Sequence, residues 1–283
     1  MFKKILRSDM DVAFTPSGWA MPMGIIFAVI VLDILNAYSS GRGFWLLDSV
    51  FRSFGGTDSG EAYFNIWSII HYLVKYIPLL MIQSEFLRQE TGNVSYVMLS
   101  RVGKASAWVA SKMLTLFATT AVYYFIIMAV EVIPLGLMDG FVAPPELLAE
   151  YGVDSYVLSS IASPFYPFII YAGITLSATT FSLLCFALAV HCRGCSNAMT
   201  FVAVFIAASV IVTVPLPQSA KAFIPGVFGC ANRWDYFIVP GGSASREVVP
   251  MGLAAMANAA WVAAAYSLTY RRVRKGVIMK ETE

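Results

Sequence analysis

Apolar residues in this chain fall into six long runs, at about 19–38, 62–82, 107–133, 164–190, 198–216 and 248–270. About 20 residues at a 1.5 Å rise cross the hydrocarbon core of a bilayer, and a helix satisfies its own backbone there. The pattern predicts an all-α integral membrane protein, one transmembrane domain over 1–283 with six transmembrane helices. The N-terminal segment has a different period. Phe2, Ile5, Leu6, Met10, Ala13 and Phe14 recur at spacings of three and four, opposite Lys3, Lys4, Arg7, Ser8 and Asp11. That predicts an amphipathic helix lying in the membrane interface. Pro16 and Gly18 break it before the first span. Asp9 and Asp11, and the lack of a small-residue cleavage pattern, set this segment apart from a signal peptide. Between the last two spans, residues 217–247 are rich in Gly, Pro and aromatics. Phe223, Ile224, Val227 and Phe228 there predict short re-entrant helices at the outer leaflet. Pro144 and Pro145 ahead of Glu146 predict a helix start in the other long loop.

Composition agrees with that solvent. Of 283 residues, 58% are hydrophobic and 13% charged, with a mean hydropathy of +0.71. A soluble domain carries about a quarter charged residues. Disorder is excluded, and a water-facing enzyme of this size would be short of surface charge. The charges are also unevenly placed. Lys3, Lys4 and Arg7 precede the first span, and Arg88, Arg101, Lys104 and Lys112 follow the second. Arg193 follows the fourth, and Arg271, Arg272, Arg274, Lys275 and Lys280 form the tail. The alternate loops hold only Arg42, Arg52, Lys221, Arg233 and Arg246. The positive-inside bias therefore puts both termini in the cytoplasm. Residues 134–163 carry Asp139, Glu146, Glu150 and Asp154 with no Lys or Arg, and read as external. Topology accounts for the basic residues, so no nucleic-acid partner is expected.

Motifs for chemistry are scarce. The segment Arg101-Val102-Gly103-Lys104-Ala105 lacks the earlier glycine and the hydroxyl that a phosphate loop needs. There is no G-x-S-x-G turn and no H-E-x-x-H helix, and the only histidines are His71 and His191. His191, Cys192 and Cys195 make the one metal-like cluster, but a structural zinc site takes four ligands. Reduced thiols in a cytoplasmic turn are the plainer reading. Cys185 reads as a small apolar residue, and Cys230 has no external partner for a disulfide. No catalytic residue, cofactor or metal is expected on this chain.

The second span runs on through Gln83, Glu85, Arg88, Gln89 and Glu90 into the cytoplasm, where Thr91-Gly92 ends it. A short helix or turn over 93–100, a basic turn at Arg101 to Lys104 and a helix entering the third span through Trp108 and Lys112 follow. In this stretch the chain resembles the permease subunits of type-2 ATP-binding-cassette exporters. In that family an acidic-Gly-Thr segment, a short coupling helix, an Arg turn and a Lys at the start of the third span occur in this order. The matching residues are Glu85 to Gly92, Leu99-Ser100-Arg101 and Ala110-Ser111-Lys112-Met113. Thr91-Gly92 reverses the family's commoner order, and Arg101 precedes Gly103 where Pro-x-Ser-Arg is more usual.

The resemblance implies half of a dimeric channel in a cell membrane, the cytoplasmic membrane of a bacterium. It implies a second permease copy or homologous permease, surrounding lipids, and separate cytoplasmic ATPase subunits that hold ATP and Mg. Glu90, Thr91, Gly92, Arg101, Lys104 and Lys112 would couple to the ATPase. The first, second and fifth spans would line the seam, so His71, Tyr72, Lys75 and Tyr76 would face an amphipathic peptide, lipid or drug-like passenger.

Lys75 asks for an explanation in any case, because a lysine at the centre of a span costs about 2.5–3.5 kcal/mol on insertion scales. It lies one turn from His71, so the two share a face. A substrate-attracting patch, a structural pair and a snorkelling lysine all remain open. Asp33 and Glu131 read as interfacial and hydrated. Ala255, Ala259 and Ala263 recur every four residues, which suits packing in the core. Two other classes of function compete with the permease: a membrane-embedded enzyme using His71 and an acid, and an anchor or assembly subunit of another complex.

Overall fold

The computed structural model describes residues 2–39, 66–91, 104–139, 166–192, 195–212, 216–229 and 250–281. Every regular element among them is a helix, and none is a strand. In chain order these are α1 (Phe2–Ala13), α2 (Pro16–Ser39), α3 (Ile66–Thr91), α4 (Ala105–Asp139), α5 (Tyr166–Cys192), α6 (Cys195–Val212), α7 (Gln218–Lys221), α8 (Pro225–Phe228) and α9 (Met251–Glu281).

Each expected span falls on a helix, but the ends differ. α4 runs on to Asp139, and α9 carries the basic residues Arg271, Arg272, Arg274 and Lys275 as continuous helix rather than as a tail. Among the described residues, α4 over Ala105–Val130, α5 over Phe168–Cys192 and α9 over Met251–Lys275 are long and apolar enough to cross a membrane. The pair α1 and α2 makes a fourth if taken as one bent span. α6 has a shorter apolar stretch, Cys195–Ser209. These helices have the character of a membrane protein. The expected short helix over 93–100 and the helix start at Pro144 and Pro145 lie outside the described residues.

α1 and α2 meet at 51°. The elbow is closed by local bonds. Thr15 Oγ1 donates to the Val12 carbonyl at 3.1 Å, and the Gly18 amide to the Thr15 carbonyl at 3.0 Å. Trp19 Nε1 reaches back to the Ala13 carbonyl at 2.9 Å, and its ring stacks on Phe14 at 5.4 Å. Pro16 starts α2 where its missing N–H costs nothing. Pro22 and Pro78 sit inside α2 and α3, as proline does in membrane helices whose neighbours re-satisfy the backbone.

α5 is the axle. It packs against α3, α4, α6, α8 and α9, and 78% of its spanning stretch is buried, against 22% for α9. Its sequence explains why. Lipid tails are as apolar as leucine, so helices in a bilayer associate by close contact rather than by escaping water. α5 presents Ala178, Ser182, Ala187 and Ala189 to its neighbours, all buried. These small side chains let backbones approach. Thr179, Thr180 and Ser182 return their hydroxyl protons to carbonyls one turn back, so they are polar without being unpaired. Tyr76, Phe181 and Phe205 fill the space between α3, α5 and α6 with edge-to-face rings.

The short helices α7 and α8 were expected at the outer leaflet. α8 packs against the middle of α5. Ser177, roughly 16 Å along α5 from its start, donates to the Pro225 carbonyl at 2.7 Å. Pro225, Gly226, Val227 and Phe228 are all buried, in a small cluster with Ala222 and Ala254. Trp261 Nε1 ties α9 to the same segment through the Phe223 carbonyl at 2.8 Å. One expectation is overturned here. Ala255, Ala259 and Ala263 are exposed rather than packed in the core, because they border an open cleft instead of a close helix contact.

Candidate functional site

The best-defined polar construction lies where α1, α3 and α4 meet. Asp9 points inward from α1. Its Oδ1 pairs with the Lys112 ammonium, and its Oδ2 accepts a hydrogen bond from Ser111 Oγ at 2.6 Å. The two charged side chains are 5% and 3% exposed. The ammonium also stands 5.5 Å from the ring centres of both Phe86 and Trp108. Those rings offer it their negative faces, so it is surrounded by partners on several sides. Lys112 was expected to couple with an ATPase at the surface. The structure places it inside, held by Asp9, because its position one turn past Trp108 lies on the face of α4 that receives α1.

Asp9 and Ser111 were not singled out from the sequence. A signal existed for each partner. Asp9 stands four residues from both Ile5 and Ala13, on the apolar face of α1, and Lys112 stands inside the run 107–133. A charge on an apolar face asks for a counter-charge.

Beyond this junction α3 turns polar. Glu85 accepts from Arg88 Nη2 at 2.8 Å, Arg88 Nε at 3.0 Å and Gln89 Nε2 at 2.9 Å. Hydrogen bonds from Arg88 and then Gln89 hold the Glu85 carboxyl below its ordinary pKa, and the Arg88 guanidinium is raised in turn. Lys104 is exposed just before α4, and its carbonyl accepts from the Ala107 and Trp108 amides. Glu90 and Thr91 form the end of α3, with side chains outside the description. Gly92 and Arg101 lie outside the described residues.

The start of α6 abuts the same extension. Cys195 Sγ lies 3.6 Å from the Ser84 carbonyl. Burial raises the Cys195 thiol pKa, with Arg88 acting in the opposite sense. Cys192 is exposed, and His191 Nδ1 engages the Ala187 carbonyl at 2.8 Å. No group of three His, Cys, Asp or Glu able to hold a metal occurs among the described residues.

Of the residues expected to face a passenger, His71, Tyr72 and Lys75 lie on α3 with side chains outside the description. Tyr76 is described, and it faces protein. It is buried, its hydroxyl is 3.4 Å from Ser177 Oγ, and it lies beside Gly229. A Cβ at Gly229 would come within 2.5 Å of the Tyr76 oxygen and 2.9 Å of Ser177 Oγ. Glycine is required there by close approach. One turn further along α5, Thr180 Oγ1 also lies 3.1 Å from Asn258 Oδ1 of α9. Gln83, also missed in the sequence, is buried and gives its amide protons to Thr119 and Thr120, each at 3.1 Å.

A cleft of about 550 Å³ opens between α9, α5 and α4. Leu176, Phe228, Ala255, Ala259, Val262 and Tyr266 line most of it, and Thr180 and Asn258 supply its polar spot. Such a lining suits an apolar or amphipathic occupant. Comparison with protein-family models, with curated proteins and with solved structures gave no match.

Proposed function

We propose that this chain is the permease subunit of an ATP-driven exporter whose ATPase is a separate polypeptide. The observation that supports it most is the gathering of α1, the polar end of α3 and the start of α4 at one end of the helical bundle. An external motor pushing on the 92–104 connection would act directly on that junction. In this reading the chain has six spans, both termini are cytoplasmic and it sits in the cytoplasmic membrane of a bacterium. Two permeases and two ATPases make the working complex, and ATP and Mg belong to the ATPase.

Glu90, Thr91, Gly92, Arg101 and Lys104 meet the ATPase, joined by the exposed Glu85–Arg88 pair. Lys112 serves from inside, as the anchor of α1. In this reading His71, Tyr72 and Lys75 face the passenger, and Tyr76, on the same helix, packs against Ser177 of α5. The cleft beside α9 suits the apolar part of an amphipathic peptide, lipid or drug-like molecule. Its apolar lining with one polar spot is the feature that supports this passenger class.

The test is purification of the tagged chain from its native membrane. An ATP-binding-cassette ATPase should accompany it, and its hydrolysis should respond to candidate passengers. Joint replacement of Glu90, Arg101 and Lys104 by alanine should lower passenger-stimulated hydrolysis at least tenfold. Unchanged assembly and unchanged hydrolysis in that variant would sink the coupling role. A Lys75→Met chain that transports at the full rate would remove Lys75 from the pathway.

A further inference from the structure

The buried Asp9–Lys112 pair does something that a patch of leucines in the same place would not. Burying two opposite charges yields little net stability over well-packed apolar residues of similar volume. What it supplies is position. The apolar stripe of α1 fits α4 at more than one register, since contact between aliphatic surfaces has no direction. A carboxylate that must meet one ammonium and one hydroxyl does have a direction. Any slip of α1 by a turn would take the buried Asp9 carboxylate away from both that ammonium and that hydroxyl.

Two further features extend that constraint. On one side, the Thr15, Gly18 and Trp19 bonds and the Phe14–Trp19 stack join α1 stiffly to α2. On the other side, Lys112 stands only two turns into α4, immediately after the 92–104 connection. Phe86, one of the rings around the ammonium, belongs to α3, which enters that connection.

We propose that the Asp9–Lys112 pair is a latch that makes α1 and the first turns of α4 one rigid body. Movement of the α3–α4 connection then passes through α1 and its 51° elbow into α2. Asp9, Ser111 and Lys112 are positioning residues in this device. The rigid body rests on geometry alone, and the transmitted movement rests on the proposed permease reading.

The experiment uses the full chain in phosphatidylcholine nanodiscs, with its native cysteines replaced by serine. Nitroxide labels go on the exposed positions Ser8 and Ser106, one on each helix. Electron paramagnetic resonance then reads the distance distribution between them. The reference chain should give one narrow distribution. Asp9→Asn should lower Tm by several degrees and broaden the distribution. Asp9→Leu combined with Lys112→Met removes both charges, so the chain should fold with near-reference Tm. The distribution should nevertheless stay broad, at least twice the reference width. A narrow distribution in that double variant would overturn the latch, because apolar packing alone would then position α1. If Asp9→Asn fails to fold, the double variant still decides. No ATPase enters this measurement, so failure to co-purify an ATPase bears on the permease reading and leaves the rigid body standing or falling on its own result.

Discussion

At the scale of single residues, the strongest constraints are close approaches and buried polar partners. Gly229 has no room for a methyl group, because the Tyr76 oxygen and Ser177 already occupy that space. Gly229→Ala should therefore destabilise the chain by about 1–3 kcal/mol, the usual range for overpacking. Its melting temperature in detergent should drop by several degrees. Adding Tyr76→Phe removes the nearest obstructing atom and should recover part of the loss. Full recovery is not expected, since Ser177 Oγ remains 2.9 Å from the added carbon.

The Cys195 thiol gives a pH prediction. Burial raises its pKa, and the thiolate is the form that reacts with maleimide. In a chain with Cys195 as its only cysteine, the labelling rate should keep climbing above about pH 8.5, where a free thiol begins to level off. A plateau at the free-thiol position would contradict the burial. None of these residue-scale features was legible beforehand. Tyr76 was named with the residues that the resemblance turns toward a passenger, and nothing in the sequence announced that it is buried beside Ser177. Side-chain direction on an apolar helix depends on which neighbours surround it, and an apolar stretch without polar alternation does not reveal that.

At the scale of helices, existence and rough extent were readable, because each long apolar run needs a helix wherever water is absent. Which helix lies at the centre was not. Both α5 and α9 are apolar, and α9 has more alanine, which suggested close packing. The structure gives α5 the central place, through a face of Ala178, Ser182 and Ala189 set among buried Thr and Ser residues that bond back to their own backbone. The alanines of α9 line an open cleft instead. This difference can be measured. Ala178→Leu should cost about 1–3 kcal/mol, since the position is 0% exposed and the neighbouring helices would have to separate. Ala263→Leu should leave the melting temperature of the isolated chain within about a degree, because it points into open space. Equal effects at the two sites would mean that α5 and α9 exchange roles.

At the scale of the whole molecule, the run lengths describe an all-helical chain, and among the described residues every regular element is a helix. The pattern said less about how the ends are used. The basic residues after the sixth run continue α9 as helix, and the amphipathic N-terminal helix docks onto protein through a residue that looked like an interruption. In the proposed orientation the α5–α6 turn faces the cytoplasm. A membrane-impermeant maleimide should then label Cys192 in inverted vesicles and leave it unlabelled in right-side-out ones. Reversed labelling would reverse the orientation.

The Asp9–Lys112 pair also carries a consequence for biosynthesis. Its members are 103 residues apart, and α1 leaves the ribosome first. At 5–20 residues per second, Lys112 follows Asp9 by about 5–20 s. In the proposed six-span reading α2 and α3 enter the bilayer during that interval, before Lys112 can reach Asp9. An amphipathic helix resting at the water interface is a tolerable place for an ionised carboxylate to wait, whereas a fully apolar anchor would have pulled it into lipid. The polar face of Lys3, Lys4 and Arg7 thus serves the nascent chain before it serves the finished one. It keeps α1 at the surface until the start of α4 arrives to claim it.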